Sequence, residues 1–232
     1  MMYLIHHGVD ALKSFKIMEN VRKGKGIAAD AVEDLKAHDV PDWYVDSCQK
    51  IKYLFPRAHA TAYVMMAYRI AYCKVHYPLA YYAAYFSIRA DEFDANEIVK
   101  GVRHIKAEMD KLNDLADDRK LDLKESATLA VLQLAYEMYL RGFTVEHVDL
   151  YKSDAEKFIV LKNSLLPPLA SLVGVGQVAA RGIAEARKSG EFSSIEDLRT
   201  RSGINKTAIA ALTEHGCLKG LDESDQVTLF SL

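Results

Sequence analysis

A mainly helical chain with one small β-hairpin element is the fold class this sequence predicts, on three observations. Apolar residues recur at helical spacing over most of the first 141 residues. After Gly142 the period shortens to the alternation of strands, between Val145 and Leu166. A tight turn with two glycines then opens directly into another helix, over Leu172 to Arg187.

Each element has its own justification. Asp10 to Arg22 places Leu12, Phe15, Ile17, Met18 and Val21 at helical spacing and ends at the basic, glycine-broken run Arg22-Lys23-Gly24-Lys25-Gly26. Pro41 opens a helix through Trp43, Tyr44, Cys48 and Ile51, and Pro56 stands where the first turn of the next begins. In that helix Met65, Met66, Tyr68 and Ile70 read as core residues. Leu79 to Ile88 forms an apolar helix after Pro78. Asp94-Ala-Asn-Glu97 has the spacing of a capping box and starts a charged helix to about Leu112. Residues 113–124 are a polar, acidic connection, and Glu125 to Arg141 is helical up to Gly142.

Val145–Leu150 and Lys157–Leu161 read as short strands, with Asn163-Ser164 turning into Leu165-Leu166 and Pro167-Pro168 closing the element. The helix after the glycine turn ends at Gly190. Ser193-x-x-Glu196 caps a short helix to Arg201, and Asn205 caps a last helix that Gly216 terminates. This second pair of helices reads as a degraded copy of the first turn, because Arg201-Ser-Gly-Ile204 keeps one glycine. Asp222, Glu223 and Asp225 lead into a hydrophobic tip.

With 232 residues, half of them hydrophobic, the chain can bury one sizeable core or two smaller ones. Three widely spaced cysteines, Cys48, Cys73 and Cys217, match no metal-ligand pattern and suit a reducing compartment. The most apolar stretch, Ala58 to Ala90, is broken by Arg69, Lys74, His76 and Pro78, which argues against a membrane span. The start lacks a basic leader and a cleavage site, so the expected location is cytoplasmic. The net charge of −2 conceals an asymmetry, since residues 1–90 carry 12 Lys and Arg against 8 Asp and Glu. A polyanionic partner therefore favours that part and the glycine turn.

The glycine turn carries the sharpest chemistry. Gly174 and Gly176 flank Val175, so the backbone can adopt positive φ and an anion can approach without meeting a Cβ. The helix beginning at Gln177 adds unpaired N–H groups and a partial positive charge. Arg181, Arg187 and Lys188 against Glu185 keep the local balance positive. The segment resembles a helix-hairpin-helix element, which holds nucleic-acid backbone without reading sequence. An ordinary glycine-bounded helix start is the plainer reading.

A wider resemblance rests on longer strings. Phe55-Pro-Arg-Ala-His-Ala-Thr-Ala-Tyr63, Met65-Met-Ala-Tyr-Arg69, Lys74-Val-His-Tyr-Pro78 and Tyr81 through Ala90 resemble the fingers of the bacterial replicative DNA polymerase III alpha subunit, most closely its PolC type. Tyr3–Gly8, Ser14–Glu19, Arg141–Phe143, Val148–Tyr151, Asn163–Pro168 and Gly216–Leu218 extend it along the chain. The resemblance implies a C-terminal piece of a longer polymerase: fingers over 1–112, a connecting helix and small β element over 113–166, a helix-hairpin-helix region over 167–221 and a flexible clamp-binding tail over 222–232.

It further implies duplex primer-template DNA, an incoming dNTP, the sliding clamp and the rest of the polymerase chain as partners, with no membrane. Arg57, His59 and Tyr63 would face the dNTP, and Gly174, Val175, Gly176, Gln177 and Arg181 would hold the duplex. Gln226-Val-Thr-Leu-Phe230 resembles the pentapeptide that binds the clamp, with Leu229 and Phe230 filling an apolar pocket and Gln226 at its rim. Magnesium belongs to the palm of the full-length protein and is not expected on this chain, which shows no D-x-D motif. The fragment alone should then be inactive. A free-standing DNA-binding clamp adaptor with no enzymatic parent is the alternative reading, and a helical scaffold the blandest.

Overall fold

The structure is a computed structural model that describes residues 1–224, arranged as two compact units that divide between Arg69 and Ile70. The tail residues Gln226, Leu229 and Phe230 lie outside the described residues.

In the first unit, α1 (Met2–His6), α2 (Ala11–Arg22), α3 (Ala29–Ala37) and α4 (Asp42–Lys50) enclose a core of Leu4, Ile17, Val21, Leu35, Val45 and their neighbours. Asp10 caps α2 by accepting the Lys13 N–H at 2.9 Å. Neither α1 nor α3 is announced by a strong cap, and the sequence reading missed both. Gly24 and Gly26 take φ of 74° and 67°, and each lets the chain pass where a Cβ would collide. A Cβ on Gly24 would stand 2.0 Å from the Lys52 carbonyl oxygen, so the basic turn lies directly against the segment after α4.

The long helix α5 (Arg57–His76) corrects an expectation. Met65, Met66, Tyr68 and Ile70 are not core: they are 50%, 53%, 74% and 52% exposed. No residue of α5 is buried among the described residues, because its apolar side chains run all round the helix without cover.

The second unit builds one larger core. It comprises α6 (Pro78–Arg89, with Pro78 at its first turn), α7 (Ala95–Ile98), α8 (Val102–Asp118), α9 (Leu123–Leu140), β1 (Thr144–Val145), β2 (Ile159–Val160), β3 (Ser164–Leu166), α10 (Gln177–Ala186), α11 (Ile195–Ser202) and α12 (Lys206–His215). The charged helix expected from Asp94 is two helices, because Gly101 at φ 89° breaks the run; α8 then continues past Leu112. A full capping box at Asp122 and Glu125 starts α9 two residues earlier than expected.

The β element holds more than a hairpin. β2 pairs antiparallel with β3, Val160 facing Leu165, as the turn at Asn163 requires. On its other side β3 pairs in parallel with β1, Thr144 facing Ser164. Leu165, Leu169, Leu172, Ile183, Leu198 and Leu212 are fully buried in this one core, and the small sheet packs against α6. No helix of the described residues is long and apolar enough to cross a membrane.

Candidate nucleic-acid interface

Two hairpins of similar construction shape the end of the second unit. In the first, Gly174 (φ 100°) is followed by Val175, which is 2% exposed, and by Gly176 as the N-cap of α10. In the second, Gly203 (φ 69°) is followed by Ile204, 4% exposed, and by Asn205 as the N-cap of α12. The β-branched residue in each plugs into the core and fixes the turn. The reading of 201–204 as a second copy thus has a structural counterpart, with the lost glycine replaced by a capping asparagine.

The two glycines of the first hairpin differ in role. A Cβ on Gly174 would meet the Ala211 methyl at 3.3 Å and the Thr207 methyl at 3.5 Å, so its missing side chain serves packing against α12. Gly176 has φ −68°, an ordinary extended conformation, and a Cβ there would meet nothing within 4 Å. Gly176 therefore faces open space. No side chain caps α10 among the described residues, which leaves the N–H groups of its first turn to an external acceptor. Val175 drops out as a direct contact: its side chain is buried and its N–H donates to the Leu172 carbonyl at 2.9 Å. Gln177 is exposed beside the mouth. So are Val173 and Val178, at 68% and 85%; the sequence reading passed over them, although β-branched residues flanking a polar turn were the available signal.

The cations expected at this hairpin are engaged by other groups of the chain. Arg181 pairs with Glu156 at 2.6 Å and Lys188 with Glu185 at 2.5 Å. Arg187 donates to the carbonyls of Leu150 and Ser153 at 2.7 and 2.6 Å, tying α10 to the loop after β1. An acceptor approaching the first hairpin would thus meet backbone donors more than side-chain cations.

Two further residues, unflagged in the sequence, hold the hairpins in place. Arg201 donates to the carbonyls of Ala186, Gly190 and Glu191 at 2.6, 2.9 and 3.0 Å and lies 4.6 Å over the Phe192 ring. It satisfies the end of α10 from within α11. The cap of α11 is Ser194 with Asp197, at 3.1 Å, one residue beyond the expected Ser193 and Glu196. At the end of α12, His215 Nε2 accepts the Val148 N–H at 2.9 Å, and its Nδ1 lies 2.6 Å from Asn96 Oδ1. Burial, with a smaller effect from His147, pushes the His215 pKa down to about 4, so the neutral ring donates from Nδ1. Burial likewise drives the Cys217 thiol up to about 12, which keeps it an inert thiol donating to the Val148 carbonyl.

In the first unit, α5 brings His59 and Tyr63 together, ring centroids 4.4 Å apart, with Phe55 4.8 Å below His59. These rings form one exposed stripe. Arg57 is exposed at the helix start, but two residues subtend about 200° on a helix, which turns it away from that stripe. Among the described residues no group of three or more His, Cys, Asp or Glu is arranged to hold a metal ion.

Comparison with known proteins agrees with this geometry. Residues 142–227 match the helix-hairpin-helix motif family, a span that takes in both hairpins. Over 230 residues, 99% of this chain, the sequence is 53% identical to the DNA polymerase III PolC-type of Caldanaerobacter subterraneus, 54% to that of Halalkalibacterium halodurans and 51% to that of Bacillus subtilis. The chain spans 16% of the length of each of these relatives. Over nearly its whole length the chain is thus similar to one segment of PolC-type DNA polymerase III.

Proposed function

We propose that this chain is the fingers and duplex-gripping portion of a DNA-directed DNA polymerase that carries out template-directed chromosomal replication. The observation that carries the reading is the open N-terminus of α10 behind Gly176, set in a helix-hairpin-helix region. Backbone N–H groups there can donate to a phosphate at any base sequence, which is what a polymerase that moves along its product requires. The ion pairs of Arg181 and Lys188 keep the grip weak and shallow in its dependence on salt.

In this reading the exposed start of α5 faces the incoming dNTP, Arg57 toward the triphosphate and the His59 and Tyr63 rings toward the nascent base pair. The tail residues Gln226, Leu229 and Phe230 tether the polymerase to its sliding clamp. Magnesium serves nucleotidyl transfer elsewhere in the polymerase: the donors described here do not fit a two-metal site, and no step runs through the metal in this chain.

Fluorescence anisotropy of a labelled blunt duplex tests the grip. Gly176→Val puts a branched side chain into the open approach, and duplex affinity should fall about tenfold, equivalent to 1.4 kcal/mol, with stability lowered by no more than about 1 kcal/mol, the cost of a poorer N-cap. Unaltered affinity would remove the hairpin from the interface.

A further inference from the structure

The basic turn of the first unit is built with more care than a solvated loop needs. Gly24 and Gly26 both require positive φ, and a Cβ on Gly26 would stand 2.2 Å from Gln49 Oε1. The Gln49 amide stitches the two segments together, donating to the Ile27 carbonyl at 2.8 Å and accepting the Ile27 N–H at 3.4 Å. The Leu54 N–H closes the pair on the Arg22 carbonyl at 3.2 Å. The effect is to hold the turn that carries Lys25 against the segment that carries Lys50 and Lys52, and all three lysines are exposed. Glu19 is occupied by Arg22 and Lys23, at 2.9 and 3.3 Å, and Asp42 lies at the far end of α4 within 3.9 Å of Lys36. Asp46, one turn before Lys50, is the acid left beside three lysines.

From this basic knot a file of exposed rings leads away. Tyr53, 60% exposed, lies 5.9 Å from Phe55, 45% exposed, and Phe55 hands on to His59 and Tyr63 at the spacings given above. Cations that track a backbone, beside successive ring faces on which unpaired bases can stack, are the recognition chemistry of single strands; a duplex offers its phosphates but hides its base faces. A protein partner would need acidic groups for the lysines and apolar cover for the rings, whereas a single strand brings phosphates and base faces together along its length.

We propose that Lys25, Lys50 and Lys52, with Tyr53 and Phe55, form a binding surface for unpaired single-stranded DNA, separate from the duplex grip of the hairpins. Given the nucleotide-facing role of α5, on which this part of the proposal rests, the strand held there is template that has yet to be copied. The surface itself stands without that role.

Anisotropy with a labelled oligothymidylate and a blunt duplex, on the full 232-residue chain, tests it. Replacing Lys25, Lys50 and Lys52 together by Ala should weaken oligothymidylate binding tenfold or more and flatten the salt slope by about 2, as three lost phosphate contacts on a single strand require. Duplex affinity should stay within twofold. The matching triple Arg variant should bind as the parent does. Tyr53→Ala with Phe55→Ala should weaken single-strand binding tenfold at an unchanged salt slope. Gly176→Val should leave single-strand binding intact, which separates this proposal from the hairpin grip. Parental oligothymidylate affinity in the triple Ala variant, loss of single-strand binding on Gly176→Val, or displacement of the oligonucleotide by polyglutamate at equal charge concentration would each overturn it.

Discussion

The two hairpins share a frame, a positive-φ glycine and a buried β-branched residue, and differ in the next position. Gly176 leaves the start of α10 uncapped, whereas the Asn205 side chain accepts the Ala208 N–H at 2.9 Å and satisfies α12 from within. One residue separates a helix start open to a ligand from one that is already closed. The cations reinforce the contrast in an unexpected sense: those of the first hairpin are engaged internally, while Lys206 stands exposed at the first position of α12. The first hairpin thus offers donors with little charge, and the second offers charge with fewer donors.

The largest effect on this comparison should come from removing the frame. A Cβ on Gly182 would stand 2.5 Å from the Ser202 carbonyl oxygen, where α10 crosses α11. Gly182→Ala forces backbone apart, at about 2–3 kcal/mol, the upper part of the overpacking range because a backbone carbonyl and not a flexible side chain must shift, set against about 1 kcal/mol gained in helix propensity. Urea unfolding should show a net loss of about 1–2 kcal/mol, and duplex binding should weaken because the hairpins lose their register. Equal stability would mean that the helix crossing is looser than the structure shows.

A smaller effect follows from uncapping the second hairpin. Asn205→Ala should cost about 1 kcal/mol of stability and leave duplex affinity unchanged, since this helix start serves the fold. A fall in duplex affinity without a fall in stability would reverse the roles assigned to the two hairpins.

A pH effect, away from both hairpin turns, follows at the far end of α12. His215 is held neutral, with its pKa depressed from 6.5 to about 4. The unfolded chain therefore takes up a proton between these values that the folded chain refuses, and stability falls as pH drops through that window. His215→Gln should flatten the decline in melting temperature between pH 6.5 and 4, measured by circular dichroism. An equally steep decline in the variant would assign it to other groups.

Much of this was legible in the sequence, for reasons that show where reading stops. Asp10, Pro78, Asn205 and Gly216 marked helix ends because caps act on near neighbours. The parallel pairing of β1 with β3 was not legible, since it joins two-residue and three-residue segments some twenty residues apart with no turn to set their register. The glycine hairpin was found, yet Gly174 and Gly176 look alike in sequence; what tells them apart is Ala211 and Thr207, more than thirty residues away. Charge counting failed at Arg181, Arg187 and Lys188 for the same reason, as it cannot see Glu156 or the carbonyls of Leu150 and Ser153. On α5 an apolar pattern implied burial, and the structure shows apolar residues without cover.

Exchanging the two caps tests the central claim most directly. Gly176→Asn supplies the first hairpin with the internal acceptor that the second already has, in an extended conformation and open space that accept it. A duplex titration at low salt should show affinity lowered about tenfold, near 1.4 kcal/mol, with stability equal to or above the parent. In the same titration Asn205→Gly should bind as tightly as the parent or more so. If Gly176→Asn binds duplex with parental affinity, phosphate does not enter at the start of α10, and the distinction drawn between the hairpins is contradicted.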